Sequence, residues 1–249
     1  MQCGGHEVGE TPAGVILAAG RGARLAPLTD ECPKPLLEIG GLPCLAHAIR
    51  ALAPAVQEIV IVVGYRAQQL EEWIRTTRHP LPVRSVINHD YARGSLSSLA
   101  AARPLLAGKG FIVTNADHIF PEDFFGVHFR PCDEICVAAQ RGRPVLDDEM
   151  KIQVDSSGRL RAISKRLTTY DGAYIGATRI PTPAAADYWR GFDAAAAEAG
   201  SRVANVEDVL SLLAGSPASP RVVWCDAVRW YEVDTAKDLA RARKAFEQR

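Results

Sequence analysis

Leu17, Ala18, Ala19, Gly20, Arg21, Gly22, Ala23, Arg24 and Leu25 form a glycine-rich turn at the end of a short apolar run. Backbone N–H groups in such a turn converge outward and suit a phosphate. A dinucleotide-binding turn would need a third glycine where Leu25 stands, followed by a helix that Pro27, Pro33 and Pro35 prevent. A P-loop would need G-x-x-x-x-G-K-[ST], which the chain lacks. What remains is a long loop carrying Arg24 and Lys34. Pro33 and Pro35 bracket Lys34 and stiffen its backbone, which suits a charge that must act at a fixed point. The plainer alternative is a surface lysine in an ordinary loop. Asp117 and Asp234 each follow an apolar, strand-like run. Two carboxylates from separate strand ends make a minimal Mg²⁺ site, because Mg²⁺ completes its shell with phosphate and water. Asp117 could equally form a turn or cap a helix, and Asp234 could cap the helix after Thr235. Glu232 alternates with Asp234 on one strand face, where it either assists or lies nearby. His118 has no metal-ligand partner at helical spacing, so zinc is not expected. Without a G-x-S-x-G motif, hydrolase chemistry has no support either.

The turn at residues 17–25, followed by Pro33, Lys34, Pro35 and Leu36, resembles the signature of nucleotidyltransferases that join an NTP to a phosphorylated acceptor. The resemblance runs from about residue 14 to the C-terminus. It implies one α/β domain of the Rossmann-like, GT-A type, with a central mixed, mostly parallel sheet flanked by helices. It also implies a Mg²⁺ requirement and pyrophosphate release. Asp117 and Asp234 would hold the metal. Residues 17–24, Gly94, Ser95, Asn115 and Asp117 would hold the nucleotide, and Lys165 the acceptor phosphate. Alternatively, Lys165 belongs to a solvated basic cluster with Arg161 and Arg166. On the first reading, the resemblance implies Arg24, Lys34 and Lys165 as the catalytic cations. Ala23 stands where the family usually has Thr or Ser, removing one hydroxyl contact to the triphosphate.

Sugar-1-phosphate thymidylyl- and uridylyltransferases usually carry a glycine-rich stretch where this chain has Arg93, Gly94, Ser95 and Leu96. That Ser-Leu opening, residues 114–118 and residues 230–235 together resemble cytidylyltransferases. CTP:inositol-1-phosphate enzymes are nearest, followed by phosphocholine and phosphonate cytidylyltransferases. Lys165, Arg166 and Leu167, with Tyr170, Asp171 and Gly176, suit the inositol-phosphate pattern. Tyr174 and Ile175, however, replace the expected Asp and Thr. The resemblance implies transfer of a cytidylyl group from CTP to an inositol-1-phosphate-like acceptor. The alternatives are a sugar-1-phosphate enzyme using UTP, dTTP or GTP, a phosphocholine or phosphonate cytidylyltransferase, or an inactive nucleotide-binding regulatory subunit.

These residues need a scaffold, and the hydrophobic pattern supplies one. Apolar runs at 15–18, 58–63, 83–87 and 111–114 read as strands, with helices over 42–52, 67–75 and 96–106. That alternation predicts βαβ crossovers and a largely parallel sheet. From about residue 135 the rhythm changes. Residues 151–154 and 160–163 flank a turn at 155–158 and predict a hairpin. Strands are expected at 170–180, 221–225 and 228–233, and helices at 184–199 and from Thr235 through Phe246. Residues 1–13 read as a flexible tail and 14–249 as the domain, with 14–140 binding the NTP and 141–249 the acceptor.

Composition sets the outer limits. The chain has 249 residues, 47% of them hydrophobic, with 29 Lys+Arg balancing 29 Asp+Glu. That excludes disorder as the main state and a general positive field for nucleic acid. No apolar run approaches the roughly 20 residues that span a bilayer, and residues 1–14 do not resemble a signal peptide. A cytoplasmic location is expected, with a homodimer as the default state. Cys3, Cys32, Cys44, Cys132, Cys136 and Cys225 are scattered and expected to be reduced. Cys132 and Cys136 could share a helical face, but offer too few ligands for zinc.

Overall fold

The computed structural model describes residues 11–247. In chain order, the first part of the fold comprises β1 (Ala13–Leu17), α1 (Leu28–Glu31), β2 (Glu38–Ile39), β3 (Leu42–Pro43), α2 (Cys44–Leu52), β4 (Glu58–Val63), α3 (Ala67–Thr76), β5 (Val83–Ile87), α4 (Ser95–Ala102) and β6 (Phe111–Asn115). Then come β7 (His118–Ile119), α5 (Phe124–His128), β8 (Cys136–Gln140), β9 (Lys151–Val154), β10 (Leu160–Ser164) and β11 (Gly172–Ile180). The chain closes with α6 (Ala185–Ala199), α7 (Val206–Leu213), β12 (Arg221–Trp224), β13 (Tyr231–Glu232) and α8 (Ala236–Glu247).

Among the described residues, nine strands form one mixed sheet in the order β10-β9-β11-β6-β1-β4-β5, and β8 also pairs with β11 and carries β12. β1 lies parallel between β4 and β6, and β5 continues the parallel set. β11 enters antiparallel beside β6 and joins the parallel half to the later strands. Every residue of β1 and β4 is buried, as expected for parallel strands covered on both faces. Val15, Leu17, Val60 and Val62 project to one face, where α4, α6 and α7 contribute Leu99, Tyr188 and Leu210. Ile16, Ile59, Ile61 and Val63 project to the other, against Leu45 and Ile49 of α2, Leu70 of α3 and Phe125 of α5. The alternation follows from the two-residue repeat of a strand. A smaller cluster, with Leu25, Ile39, Val233 and Leu239, docks α8 beside the loop after β1.

Four expectations need correction. The domain begins slightly earlier than residue 14: Ala13 opens β1 and is fully buried. Residues 1–10, including most of the expected tail and Cys3, lie outside the described residues. The helix expected to reach residue 106 leaves α geometry after Ala102 and continues as a 3-10 turn, Arg103–Leu106, because Pro104 has no N–H to donate. Cys136 lies in β8 rather than on a helix; the Cys132 and Cys136 sulfurs nevertheless sit 3.3 Å apart as free thiols. The strand expected at 228–233 shrinks to Tyr231–Glu232, which pairs with β7 outside the main sheet.

Candidate active site

The parallel strands β1 and β6 end on the same side of the sheet, beneath an open cleft of about 690 Å³. This is where open α/β sheets place their ligands. The turn after β1 forms one wall. Gly22 holds φ +66°, and a Cβ there would come within 3.0 Å of Lys34 Cβ and Cδ, so glycine lets the turn close onto the lysine. The Thr29 hydroxyl donates to the Gly22 carbonyl at 3.1 Å and fixes that closure. Lys34 opens a 3-10 turn, Lys34–Leu36, entered through extended Pro33 and tied by Leu36 N donating to Pro33 O at 2.8 Å. The backbone beneath the ammonium is therefore fixed, as the bracketing prolines require.

Lys34 Nζ donates to Asp117 Oδ2 at 2.5 Å and to Asp234 Oδ1 at 2.6 Å. Arg24 Nη2 donates to the other Asp234 oxygen at 2.5 Å, and its Nη1 lies 3.6 Å from Asp148. His118 Nδ1 donates to Asp117 Oδ1 at 2.7 Å. Burial works against the charge on Lys34, but Asp117 and Asp234 outweigh it and hold the ammonium above its ordinary range. Burial likewise disfavours the Asp117 carboxylate, yet Lys34 and His118 keep it well below the usual carboxylate range. Burial also opposes a charged His118; the Asp117 hydrogen bond and charge prevail, and the ring holds its proton more tightly than a free histidine.

A supporting layer orients His118. Its ring stacks on Trp230 at 5.4 Å with 10° between planes, and Trp230 Nε1 donates to Gln140 Oε1 at 3.0 Å. The Gln140 amide in turn donates to the carbonyls of Cys225, Asp226 and Val228, holding the approach to β13. Glu232 lies opposite His118 in the β7–β13 pair. Burial, reinforced by Asp117 and Asp234, pushes its carboxyl up to about 7.

Leu17, Ala18, Ala19, Gly20, Gly22, Arg24, Lys34, Gly94, Ser95, Asn115, Asp117, Lys165, Glu232 and Asp234 all line the cleft. Arg21 and Ala23 do not. The Arg21 guanidinium sits 3.7 Å from Asp30 and 5.8 Å from the centre of the Tyr65 ring, outside the cleft. Ala23 begins a 3-10 turn, Ala23–Leu25, that carries Arg24 inward. Ser95 has protein partners on both sides of its hydroxyl: it donates to Asn205 Oδ1 at 3.3 Å and accepts from Val206 N at 2.9 Å. Sequence reasoning did not find Glu207, Asp148 or the Trp230–Gln140 support. The spacing of Asn205 and Asp208 was a legible signal for α7, since Asn205 N donates to Asp208 Oδ2 at 2.7 Å in a capping box.

The donors fit a hard divalent cation. Asp117 and Asp234 converge on one point, now marked by the Lys34 ammonium, and offer oxygens only. That suits an ion completing its shell with phosphate and water.

Residues 14–204 match the model of the MobA-like NTP transferase domain. The chain belongs to this family. It is 34% identical over 233 residues to the bifunctional IPC transferase and DIPP synthase of Rubrobacter xylanophilus, covering 90% of this chain and 49% of that protein. It is 36% identical over 121 residues to the mannose-1-phosphate guanylyltransferase catalytic subunit beta of Drosophila melanogaster, covering 47% of this chain and 33% of the relative. The chain thus spans about half or less of the length of these curated relatives. The fold is similar to the inositol-1-phosphate CTP transferase from T. maritima, with TM-score 0.81, 19% identity and 96% of each chain covered. It is also similar to the CTP:phosphocholine cytidylyltransferase of Streptococcus pneumoniae, with TM-score 0.71 and 19% identity over 94% of this chain and 99% of that one. Among the described residues, no helix is long and apolar enough to cross a membrane.

Proposed function

We propose that the chain transfers a cytidylyl group from CTP to an inositol-1-phosphate-like acceptor, giving a CDP-alcohol and pyrophosphate. The observation that carries the reaction class is the placement of Lys34 between Asp117 and Asp234 at the mouth of β1 and β6. A lysine ammonium has three N–H donors. Two serve the carboxylates here; with a metal on Asp117 and Asp234 those donors would be released, and the ammonium would serve oxygens of the α-phosphate. Amides of the turn at Gly20 and Gly22, with the Arg24 side chain, would hold the leaving phosphates. Lys165 would hold the acceptor phosphate, one of whose oxygens attacks the α-phosphorus. The bond from that phosphorus to the bridging oxygen breaks, and pyrophosphate departs with the electron pair. The attacking oxygen is already anionic near neutral pH, so positioning and charge neutralisation suffice without a strong general base. Asp117 and Asp234 would hold Mg²⁺, which when bound neutralises negative charge on the phosphates.

In this arrangement residues 14–140 serve the nucleotide and residues 141–249 the acceptor, with Asp234 crossing back to the nucleotide side. Cytosine and the inositol-phosphate acceptor are supported by the residue pattern and by the Rubrobacter relative, whose match extends through both halves. The test is a matrix of CTP, UTP, dTTP and GTP against inositol 1-phosphate, phosphocholine and sugar 1-phosphates, read by pyrophosphate release. CTP with inositol 1-phosphate should be the best pair. Equal or faster release with UTP, dTTP or GTP and a sugar 1-phosphate overturns the cytidylyl assignment. Nucleotide binding without release from any pair would make the chain a regulatory subunit.

A further inference from the structure

The N-terminal end of α7 contributes to the cleft wall that also contains Lys165. Three polar residues in this wall are already occupied. Asn205 and Asp208 close the capping box, and Ser95 bridges Asn205 and Val206. Glu207 lies between them in sequence and lines the cleft. It is half-buried, and among the described residues no other side chain bonds to its carboxylate, which accepts only from its own backbone amide. Burial pushes the carboxyl above its ordinary value, and the charges of His118 and Lys165 reach it. A carboxylate offers about four acceptor sites. One local amide leaves most of them facing the cleft and free to accept from a molecule bound there.

We propose that Glu207 reads the hydroxyl groups of the acceptor, its two oxygens accepting hydrogen bonds from adjacent hydroxyls of a polyol phosphate. This rests on the preceding proposal that the acceptor phosphate sits at Lys165. A cationic acceptor such as a quaternary ammonium is the other natural partner of a carboxylate, but its recognition uses several aromatic faces. The cleft does not offer them. Trp230 stacks with His118 and Phe120, and Tyr174 is buried with its hydroxyl 2.8 Å from Thr178 Oγ1, leaving Tyr91 as a single ring. Hydroxyl donors satisfy Glu207 without such a cage.

The experiment compares wild type, Glu207→Gln and Glu207→Ala with CTP and three acceptors: inositol 1-phosphate, cyclohexyl phosphate and phosphocholine. Cyclohexyl phosphate keeps the ring and phosphate but lacks the other hydroxyls. Melting temperatures establish that each variant is folded, and Gln preserves the shape if Ala does not fold. Both substitutions should raise KM for inositol 1-phosphate about 10- to 100-fold, the range for a lost hydrogen bond to a charged group. KM for CTP and for cyclohexyl phosphate should stay within about twofold, a split that general loosening of α7 would not produce. An unchanged KM for inositol 1-phosphate in Glu207→Gln overturns the assignment while leaving cytidylyl transfer standing. A wild-type preference for phosphocholine that both variants abolish also overturns it, making Glu207 a counter-ion. If wild type releases no pyrophosphate from any pair, the proposed reaction falls and this assignment with it.

Discussion

Gly176 crosses beneath the His118 imidazole at φ +76°, and a Cβ built there would fall 2.3 Å from His118 Nε2. The glycine therefore sets the height of the ring whose other nitrogen donates to Asp117. Gly176→Ala should cost about 2–4 kcal/mol, combining left-handed strain with overpacking. It should also displace the Asp117 hydrogen bond. Urea unfolding gives the first quantity, and the ring-proton shifts of His118 give the second. A variant of wild-type stability would mean that the ring moves freely.

Lys34→Met should impair both chemistry and folding. The ammonium is buried between Asp117 and Asp234, so removing it leaves two carboxylates facing each other with reduced compensation. Breaking a buried pair typically costs about 3–5 kcal/mol, and Arg24 on Asp234 offsets part of that here. Turnover should fall by about 10²–10³ or more, as for loss of a fixed charge stabiliser. Thermal unfolding and pyrophosphate release should therefore both change. Inactivity at full stability would confine Lys34 to chemistry.

Asp234→Asn keeps the shape but removes one charge from the proposed metal pair. The Mg²⁺ concentration for half-maximal pyrophosphate release should rise by tenfold or more. Mn²⁺ binding followed by its paramagnetic signal should weaken in parallel. An unchanged metal titration would reduce Asp234 to a partner of Lys34 and Arg24.

Glu232 gives the metal-free protein a specific pH dependence. Its carboxyl ordinarily titrates near 4.5, and burial raises it to about 7 in the fold. Below 4.5 both folded and unfolded chains hold this proton, so the group contributes nothing. Between 4.5 and 7 the folded chain holds the proton and the unfolded chain does not, so stability falls as pH rises. Above 7 the whole cost is present. Glu232→Gln should therefore match wild type near pH 4 and exceed it at pH 8, measured by urea unfolding with a chelator present. Equal stabilities at pH 8 would show that Glu232 is solvated enough to ionise freely.

Much of this architecture is written locally. Val15 to Ala18 and Glu58 to Val63 are apolar enough to specify buried strands without tertiary information. Gly22, Lys34, Asp117 and Asp234 are legible as a set, because each alone has ordinary structural uses but a glycine turn, a proline-bracketed cation and two strand-end carboxylates together suit phosphate chemistry. Glu207 was silent for the opposite reason: a glutamate near a helix start is ordinary, and only its half-burial in the cleft distinguishes it. The support of His118 by Trp230 and Gln140 depends on contacts across 90 residues of chain between those two partners, which no local pattern encodes. Cys132 and Cys136 were close, as their spacing suggested, but through a turn into β8 rather than along a helix.

The two-residue pairing of β7 with β13 sets His118 opposite Glu232, and Val233 N donates to the Asp117 carbonyl at 3.1 Å. Asp234 is delivered to the cleft by this short ribbon. During synthesis the glycine turn after β1 and Asp117 leave the ribosome long before Asp234 does. A stalled nascent chain ending before Tyr231 should therefore release no pyrophosphate, whereas the same chain released at full length should. Translation order therefore places Asp234 after every other residue assigned to the proposed site.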